Sequence, residues 1–487
     1  MRVARLIRAL SINALVMLVA AGATSTVVRA AESAPYPLAE RLASSLTSGR
    51  LHAHLAALQA IADRSGGNRG YDRPGFARSA AYVAARLRLA GYQVTTQTVP
   101  YTNFEVAEER LVVDGSMAVP VLMTRFTPST PAGGVDAPLA ALPGGRTGCA
   151  ADDYDGVSVA GAVVVLARAA CGYAVQQQVV AALGARAMLL YYPVPELENI
   201  YRFLAFDPTM FTIPVGGISR KDGEDLIGRA ATGARVRLTL RGSAQPRTTV
   251  NLIAETAGGD PDNVVMLGAH LDSGTEAPGI NDNGTAAVTV LQTALAMAPY
   301  QTTVRNKVRF AWWGAEEVGN LGSAYYVSQL SAADRARIAV LLNGELLASP
   351  NGGRFVWDAG SGGGRVVADL FAGYFERRNL PYERHAITSI GSDHLEFAAA
   401  GIAVGGIDTG TLGVKTPEQQ VLYGGQAGRM FDPCYHQPCD TVGNLDSPAL
   451  AANAPSLAWV TGRLATYDED VRAAQAGSAA TTTRRSS

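Results

Sequence analysis

Lysine is nearly absent from this 487-residue sequence, where it occurs only at positions 221, 307 and 415. Arginine supplies the other basic side chains, and acids and bases balance to a formal net charge of -1. A chain without an excess of either sign has no electrostatic reason to bind nucleic acid or an anionic membrane surface. We therefore expect no nucleic-acid partner.

The amino-terminal apolar segment, Ala9–Ala23, is too short to span a membrane, which takes about 20 residues. Three arginines precede it within the first eight residues, and Val28–Ala30 offers small residues for cleavage. This pattern is typical of a signal peptide, so we predict that residues 1–30 are removed and leave a secreted chain without a membrane span. Cleavage after Ala21 or Ala23, or an uncleaved anchor, are the alternatives.

Cysteine is scarce, and the four residues of this type allow three pairings. Export permits disulfides, and pairing of near neighbours is the most economical arrangement. It joins Cys149 to Cys171 and Cys434 to Cys439. Free buried thiols and a cysteine-based zinc site are the alternatives, but neither pair has the CxxC spacing of structural zinc.

Hydrophobic residues make up 48% of the chain, which is enough to bury a large core in two or three domains. Residues 31–50 lack a pattern and predict a mobile lead-in, within a first segment that reaches residue 105. Residues 106–245 consist of short β-like runs separated by glycine and proline. Residues 246–470 alternate between strands and helices, and the polar residues 471–487 predict a disordered tail. We interpret the middle segment as an insertion into one domain.

The alternation after Val250 indicates an α/β fold, with a central sheet and helices on both faces. Strands are predicted at Val250–Glu255, Val264–Ala269, Val308–Gly314, Ile338–Asn343, Arg354–Asp358 and Ala403–Ile407. Helices are predicted at Thr285–Ala298, Gly319–Gln329, Gly364–Arg377 and Asp393–Ala399. Ligands of such folds bind at the carboxyl ends of the strands, so polar residues at these positions are candidates for chemistry.

The stretch Val264–Ala286 carries the first of these candidates. A buried apolar strand ends in His270 and Asp272, which lie two residues apart and therefore on one face of an extended backbone. A metal-bound imidazole usually donates its other N–H to a carboxylate, so Asp272 is expected to orient His270. Asp282 follows in a glycine-rich loop that leads into the next helix.

Further candidates follow the later strands. Glu316 and Glu317 come directly after an apolar strand, and adjacent carboxylates there point to different sides. One can bind a metal while its neighbour faces a metal-bound water. Glu345 follows the next strand, and His436 lies in a short loop between two cysteines.

Five residues together offer two imidazoles and three carboxylates: His270, Asp282, Glu317, Glu345 and His436. That donor set is sufficient for two Zn²⁺ ions bridged by one carboxylate and one water.

Six motifs occur in the order GAHLDS, GINDNGTA, GAEEVGNLGS, NGELLAS, GSDH and DPCYHQPCDT. In this order they resemble the secreted two-zinc aminopeptidases of bacteria, over essentially all of residues 50–465. The middle segment, with GCAADDY and IPVGGIS, is similar to the protease-associated domain often inserted in such enzymes. The resemblance implies a mixed central sheet and two Zn²⁺ per chain. It also implies a monomeric hydrolase that removes apolar amino-terminal residues such as Leu from peptides or proteins with a free amino terminus.

The resemblance also implies a role for each metal ligand. Asp282 bridges both ions, His270 and Glu345 complete one, and Glu317 and His436 complete the other. A cis peptide often follows the bridging aspartate in this family, so a cis Asp282–Asn283 bond is expected.

Three further residues have catalytic or supporting roles by the same resemblance. Glu316 is the general base, Tyr435 donates its phenol to the developing oxyanion, and Asp272 orients His270.

Glu345 departs from the family, which usually has aspartate at this position. The longer side chain keeps the charge and moves the carboxylate by about one methylene, which affects zinc binding, turnover or recognition of the substrate's amine. Three other functions stay open: a carboxypeptidase on related architecture, a one-zinc glutaminyl cyclase, and a receptor-like homologue that binds without catalysis. The complete ligand set argues against the last two.

Overall fold

The computed structural model describes residues 36–142, 144–194, 200–203 and 211–473, and Pro37 onward forms one compact unit. The predicted signal peptide lies outside the described residues, as does the predicted tail from residue 474. Residues 471–473 were expected to belong to that tail, but they are helical and Val471 is buried. Within the described residues, no helix combines the length and the apolar character needed to cross a bilayer.

The α-helices are α1 (Pro37–Ser45), α2 (Ser48–Asp63), α3 (Pro74–Leu89), α4 (Tyr173–Ala182), α5 (Arg220–Ala230), α6 (Ala286–Met297), α7 (Leu321–Ser328), α8 (Ala332–Arg337), α9 (Gly362–Glu376), α10 (His394–Ala399), α11 (Pro417–Tyr423) and α12 (Ser447–Ala465).

The strands are β1 (Val94–Val113), β2 (Met117–Val119), β3 (Leu122–Met123), β4 (Val135–Ala141), β5 (Val163–Ala167), β6 (Ala187–Tyr191), β7 (Val215–Gly217), β8 (Arg235–Glu255), β9 (Asp260–His270), β10 (Asn306–Trp313), β11 (Ile338–Glu345), β12 (Phe355–Asp358), β13 (Glu383–Ala386) and β14 (Ala403–Asp408).

The strands form one connected sheet in the order β13-β12-β14-β11-β9-β10-β8-β4-β5-β6-β7-β3, with β1 paired to β8. Strands β14, β11, β9 and β10 are parallel neighbours, whereas β8 runs antiparallel to β10. The predicted mixed sheet is therefore confirmed. Because the four parallel strands point the same way, their carboxyl ends meet at one edge.

Helices cover both faces of this sheet, as predicted. Helices α6, α9 and α12 pack together on one face, and α7 and α10 pack on the other. The neighbouring residues Trp312 and Trp313 show how β10 contributes to both layers, since alternate side chains of a strand point to opposite faces. Both are fully buried: Trp312 donates to the Ala287 carbonyl (3.0 Å), while Trp313 packs against Phe397.

Strands β1 and β8 are much longer than the short runs expected there. They pair antiparallel from Val94 opposite Ala254 to Val113 opposite Val236, with one irregularity between Val106 and Glu108. The expected boundaries at residues 105 and 245 therefore fall inside a continuous two-stranded ribbon. One end of β8 pairs with β10, and the other end pairs with β4 of the inserted segment.

The amino-terminal lead-in was predicted wrongly. Residues 37–45 form α1, and its Leu42 is fully buried where α1 packs against α12 and α6. Thr47 caps α2 by accepting a hydrogen bond from the Arg50 N–H. The helices that pack against this segment lie hundreds of residues later in the chain. Its own short sequence therefore does not indicate that it is helical and buried.

The close pairing of β14 with its neighbours generates a prediction about Gly406. A Cβ atom at this position would lie 2.1 Å from the Asn343 carbonyl oxygen and 2.7 Å from the Trp357 ring. We expect Gly406→Ala to lower the free energy of unfolding by about 3 kcal/mol, because the backbone cannot move away. The matched control is Gly228→Ala in α5, where a Cβ meets nothing within 4 Å.

The control should raise stability by about 0.5–1 kcal/mol, since alanine favours a helix over glycine. Thermal and urea unfolding of the two variants check both signs. Equal stability of Gly406→Ala and the parent would contradict the packing described here.

The buried His394 generates a prediction about pH. Its ring lies 4.2 Å from the Trp357 ring, and its Nε2 is 2.6 Å from the Ile387 carbonyl oxygen. Burial lowers the pKa of His394 from 6.5 to about 4, against the opposing effect of the Ile387 carbonyl. Below pH 6.5 the unfolded chain therefore binds a proton that the folded chain does not bind, and stability falls as the pH drops toward 4.

Relative to His394→Gln, the parent should lose about 3 kcal/mol of unfolding free energy between pH 7 and pH 4. Urea unfolding of both proteins at several pH values measures this difference. A difference that stays constant with pH would show that His394 does not contribute.

Candidate metal centre

The predicted donor residues meet at the carboxyl edge of the parallel strands. His270 ends β9 and stands beside Trp313, the last residue of the neighbouring β10. Glu316 and Glu317 follow β10 in a single 3₁₀ turn, and Glu345 ends β11 on the other side of β9. Side chains that are far apart in the chain therefore converge, because three adjacent strands end together.

Asp282 lies between the two imidazoles. Its Oδ1 is 3.3 Å from His270 Nε2, and its Oδ2 is 3.1 Å from His436 Nε2. His436 Nε2 is also 2.9 Å from Glu317 Oε2. Each oxygen of Asp282 thus faces a different imidazole, which is the arrangement that a bridging carboxylate requires.

Glu345 and Glu316 complete the cluster on the His270 side. His270 Nε2 is 3.5 Å from Glu345 Oε2 and 3.7 Å from Glu316 Oε2. Donor atoms of these three residues lie within 4.8 Å of one another, as do those of His270, Asp282 and Glu317. The longer side chain of Glu345 therefore still reaches the centre.

The loop that carries Asp282 is held through its backbone. Asp440 accepts hydrogen bonds from the N–H groups of Asn281 (2.7 Å) and Asp282 (3.0 Å). The Asp282–Asn283 peptide bond is cis, as expected. The loop then continues directly into α6.

The loop that carries His436 is closed by the Cys434–Cys439 disulfide, and the second disulfide joins Cys149 to Cys171. Both predicted pairings are confirmed. Asp432 joins this loop to the Asp282 loop, because it accepts hydrogen bonds from the Asn281 side chain (2.6 Å) and from the Cys434 N–H (2.9 Å).

Asp272 contacts the site differently from the expectation. His270 Nδ1 is 3.1 Å from the backbone carbonyl oxygen of Asp272, whereas its distance to the Asp272 carboxylate is 3.8 Å. That carboxylate accepts hydrogen bonds from the N–H groups of Glu316 (3.2 Å) and Glu317 (3.3 Å). Asp272 thus orients the imidazole through its backbone and holds the turn of two glutamates through its side chain.

Two supporting residues have roles that were not predicted from the sequence. Arg69 is fully buried and donates to the carbonyls of Leu271, Pro278 (2.9 Å) and Gly279, so it fixes the chain between His270 and Asp282. Ser392 donates to Glu345 Oε1 and accepts from the Asn343 side chain (2.9 Å). Ser392 belongs to the GSDH motif of the sequence analysis. Nothing in the sequence, by contrast, indicates that Arg69 is buried and bound to backbone carbonyls.

Buried carboxylates outnumber the imidazoles of this cluster, and this changes the pKa values of its members. Burial raises the pKa of Glu316 well above its ordinary value and raises that of Glu345 as well. Burial alone would lower the pKa of His270, but the carboxylates of Glu316 and Glu345 raise it well above normal. Burial would raise the pKa of Asp282, yet hydrogen bonds with His270 and His436 lower it.

These residues fit divalent metal ions. Two imidazoles and three carboxylates are the donors that zinc accepts. All of them except the half-buried His436 are buried, and too few cations lie beside them to balance the carboxylates. Among the described residues, Glu317 Oε1 is a buried oxygen without a hydrogen-bond partner, although Glu317 Oε2 contacts His436. A metal ion is the partner that such an oxygen lacks.

Tyr435 lies beside the cluster. Its ring stacks on the His436 ring at 3.8 Å, and both residues line a cavity together with Glu316 and Glu317. Burial raises the pKa of Tyr435 well above its ordinary value, and the charges of Asp282, Glu317 and Glu316 raise it further. The phenol therefore keeps its proton and can donate a hydrogen bond.

Two family models match the chain. Peptidase family M28 matches residues 251–460, and the PA domain matches residues 135–226. The first match contains every donor residue described above, and the second lies within the inserted segment.

Relatives and solved structures agree with these matches. An aminopeptidase of Pseudomonas aeruginosa is 34% identical over 454 residues, covering 86% of this chain and 82% of the relative. A probable leucine aminopeptidase 2 of Aspergillus fumigatus is 34% identical over 79% of this chain and 76% of its own. The structure of BSAP, a zinc aminopeptidase from Bacillus subtilis, has the same fold, with a TM-score of 0.67 at 23% identity over 91% of this chain and 98% of its own. The chain therefore belongs to peptidase family M28, as an aminopeptidase whose peptidase domain is interrupted by a PA domain.

Proposed function

We propose that this protein is a secreted two-zinc aminopeptidase that removes apolar amino-terminal residues, such as Leu, from peptides and proteins. The observation that carries the proposal is the position of Asp282, whose two oxygens face His270 and His436 separately. Glu345 and Glu317 supply one further carboxylate to each side. This is the ligand set that two adjacent ions need, with Asp282 shared between them.

Bound Zn²⁺ supplies Lewis acidity, which lowers the pKa of water and polarises a carbonyl oxygen. Glu316 is the general base in this proposal. Its carboxylate lies 3.7 Å from His270 Nε2 and lines the cavity. It can therefore take a proton from the attacking water and pass it to the leaving amine. Asp272 supports this role, because its carboxylate accepts a hydrogen bond from the Glu316 N–H and so fixes the orientation of the turn that carries Glu316.

Tyr435 is the proposed oxyanion donor. It lines the same cavity as Glu316, and its phenol stays protonated in the acidic surroundings. A neutral donor placed beside the scissile bond stabilises the charge that develops on its carbonyl oxygen.

The spaces beside the cluster are large enough to hold a peptide substrate. A groove of about 390 Å³ runs from Glu317 and His436 to Arg125 and Arg202 of the inserted domain. A second space of about 560 Å³ is also lined by Arg125, Arg202 and Glu276, and the two spaces together suit the body of a peptide. A further cavity of about 360 Å³ lies beside Glu316 and shares Glu317 and His436 with the groove. In this proposal it takes the side chain of the amino-terminal residue.

Several broader features of the proposal extend the sequence predictions. Two disulfides are compatible with the oxidising conditions outside the cell. Two observations support the proposed preference for apolar amino-terminal residues. The fungal relative is named as a leucine aminopeptidase, and Leu395 lines the cavity. Action as a monomer, and a PA domain spanning residues 106–245, stay predictions.

A single assay tests the proposed function. Release of leucine should be measured from a Leu-initiated tripeptide, free and N-acetylated, after removal of metal by a chelator and after return of zinc. We expect release from the free peptide alone, loss with chelator, and recovery at two zinc ions per chain. Cleavage of the acetylated peptide at its other end would indicate a carboxypeptidase, and no cleavage with zinc present would indicate a binding protein.

The adjacent glutamates give a matched pair of variants. Glu316→Gln should lower kcat by about 10³-fold and leave the zinc content unchanged, because it removes the base and no ligand. Glu317→Gln should lose zinc first, because it removes a donor beside His436. Zinc analysis after dialysis, together with kcat, separates the two roles. Equal loss of metal in both variants would contradict the assignment of Glu316 as base.

A further inference from the structure

The cavity beside Glu316 contains a carboxylate that the proposed mechanism does not use. Glu396 lies in the first turn of α10 and lines this cavity together with Leu395, Asn320 and Gly391. Its side chain is half-buried. Among the described residues, none donates a hydrogen bond to the Glu396 carboxylate or forms an ion pair with it.

The charges on the two sides of the metal centre differ. No lysine or arginine occurs among the described residues that line the cavity, whereas Arg125 and Arg202 line the groove on the other side. In the groove, Arg202 is already paired with Glu276 at 3.0 Å. Apart from the residues of the metal centre, the cavity therefore has the charge of Glu396 without a basic side chain to balance it, and a cation that enters the cavity is attracted.

The cavity has room for a long side chain. Its volume of about 360 Å³ is sufficient for the side chain of lysine or arginine as well as for that of leucine. Leu395 offers an apolar wall next to Glu396. Lysine and arginine combine an apolar stem with a charged end, so they can contact both residues at once.

We propose that Glu396 is a specificity-determining residue, which extends the range of the enzyme from apolar residues to an amino-terminal lysine or arginine. The proposal rests on the proposed aminopeptidase function and on the placement of the first side chain in this cavity. Glu396 takes no part in the chemical step, so it should change the choice of substrate and leave the rate on uncharged substrates intact.

The test uses p-nitroanilides of lysine, arginine, norleucine and leucine with the zinc-loaded full-length protein. Norleucine is the matched substrate, since it has the unbranched stem of lysine without the ammonium group. We expect Glu396→Gln to lower kcat/KM for lysine and arginine about tenfold, as for a half-buried ion pair, and to change norleucine and leucine less than twofold. The lysine effect should shrink with added salt.

Two further variants make the result unambiguous. Glu418→Gln removes an exposed carboxylate that does not line the cavity, and it should leave the lysine-to-norleucine ratio unchanged. Glu396→Lys should reverse the preference and allow the p-nitroanilide of glutamate to be cleaved. Because each ratio is measured on one protein sample, partial unfolding or zinc loss does not affect it.

The outcomes separate this inference from the proposed function. If leucine p-nitroanilide is hydrolysed in a chelator-sensitive way but Glu396→Gln leaves the lysine-to-norleucine ratio unchanged, only the inference is overturned. If zinc-loaded protein hydrolyses none of the substrates, both proposals are overturned.

Discussion

A single buried carboxylate, that of Asp282, has to face two imidazoles at once. The two contacts, 3.3 Å to His270 and 3.1 Å to His436, leave little freedom for the loop that carries Asp282. Asp440 binds the backbone N–H of Asp282 itself, and Arg69 holds the carbonyl of Gly279 before it. Metal sites need such support, because a displacement of even about 1 Å weakens the geometry of every ligand.

The same constraint explains why distant parts of the chain carry acids without a catalytic task. Asp432 and Asp440 flank the disulfide-closed loop of His436, and both bind Asn281 in the Asp282 loop. Asp272 connects the end of β9 to the turn of Glu316 and Glu317. Each of these carboxylates accepts hydrogen bonds from groups that would otherwise be buried without a partner.

The second half of the fold was predictable because its strands are buried on both faces and therefore read as continuous apolar runs. Helix α6 was expected at Thr285–Ala298 and lies at Ala286–Met297. The candidate donor residues could be selected for the same reason, since each follows an apolar strand or lies in a glycine-rich or cysteine-flanked loop. A polar residue directly after an apolar strand thus indicates a position at the carboxyl end of the sheet.

Other features had no local signal. The ribbon of β1 and β8 passes through Pro100, Pro246 and Gly242, and the exposed residues in its middle show no alternation that predicts pairing. Side chains that bind backbone groups could not be predicted from the sequence either. A sequence does not show that His270 binds the carbonyl of Asp272, or that Arg69 ends among carbonyl oxygens. These interactions arise only once the chain is folded.

The packing of α1 against α12 has a consequence for the order in which the protein folds. These are the first and the last of the named helices, and β1 likewise pairs with a strand that begins only at Arg235. Strands β4, β5, β6 and β7, by contrast, pair with one another within a shorter length of chain. Contacts between distant residues form late, because closing a long loop costs conformational entropy. The inserted domain can therefore acquire its structure while the surrounding peptidase is incomplete, and α1 is among the last elements to reach its place.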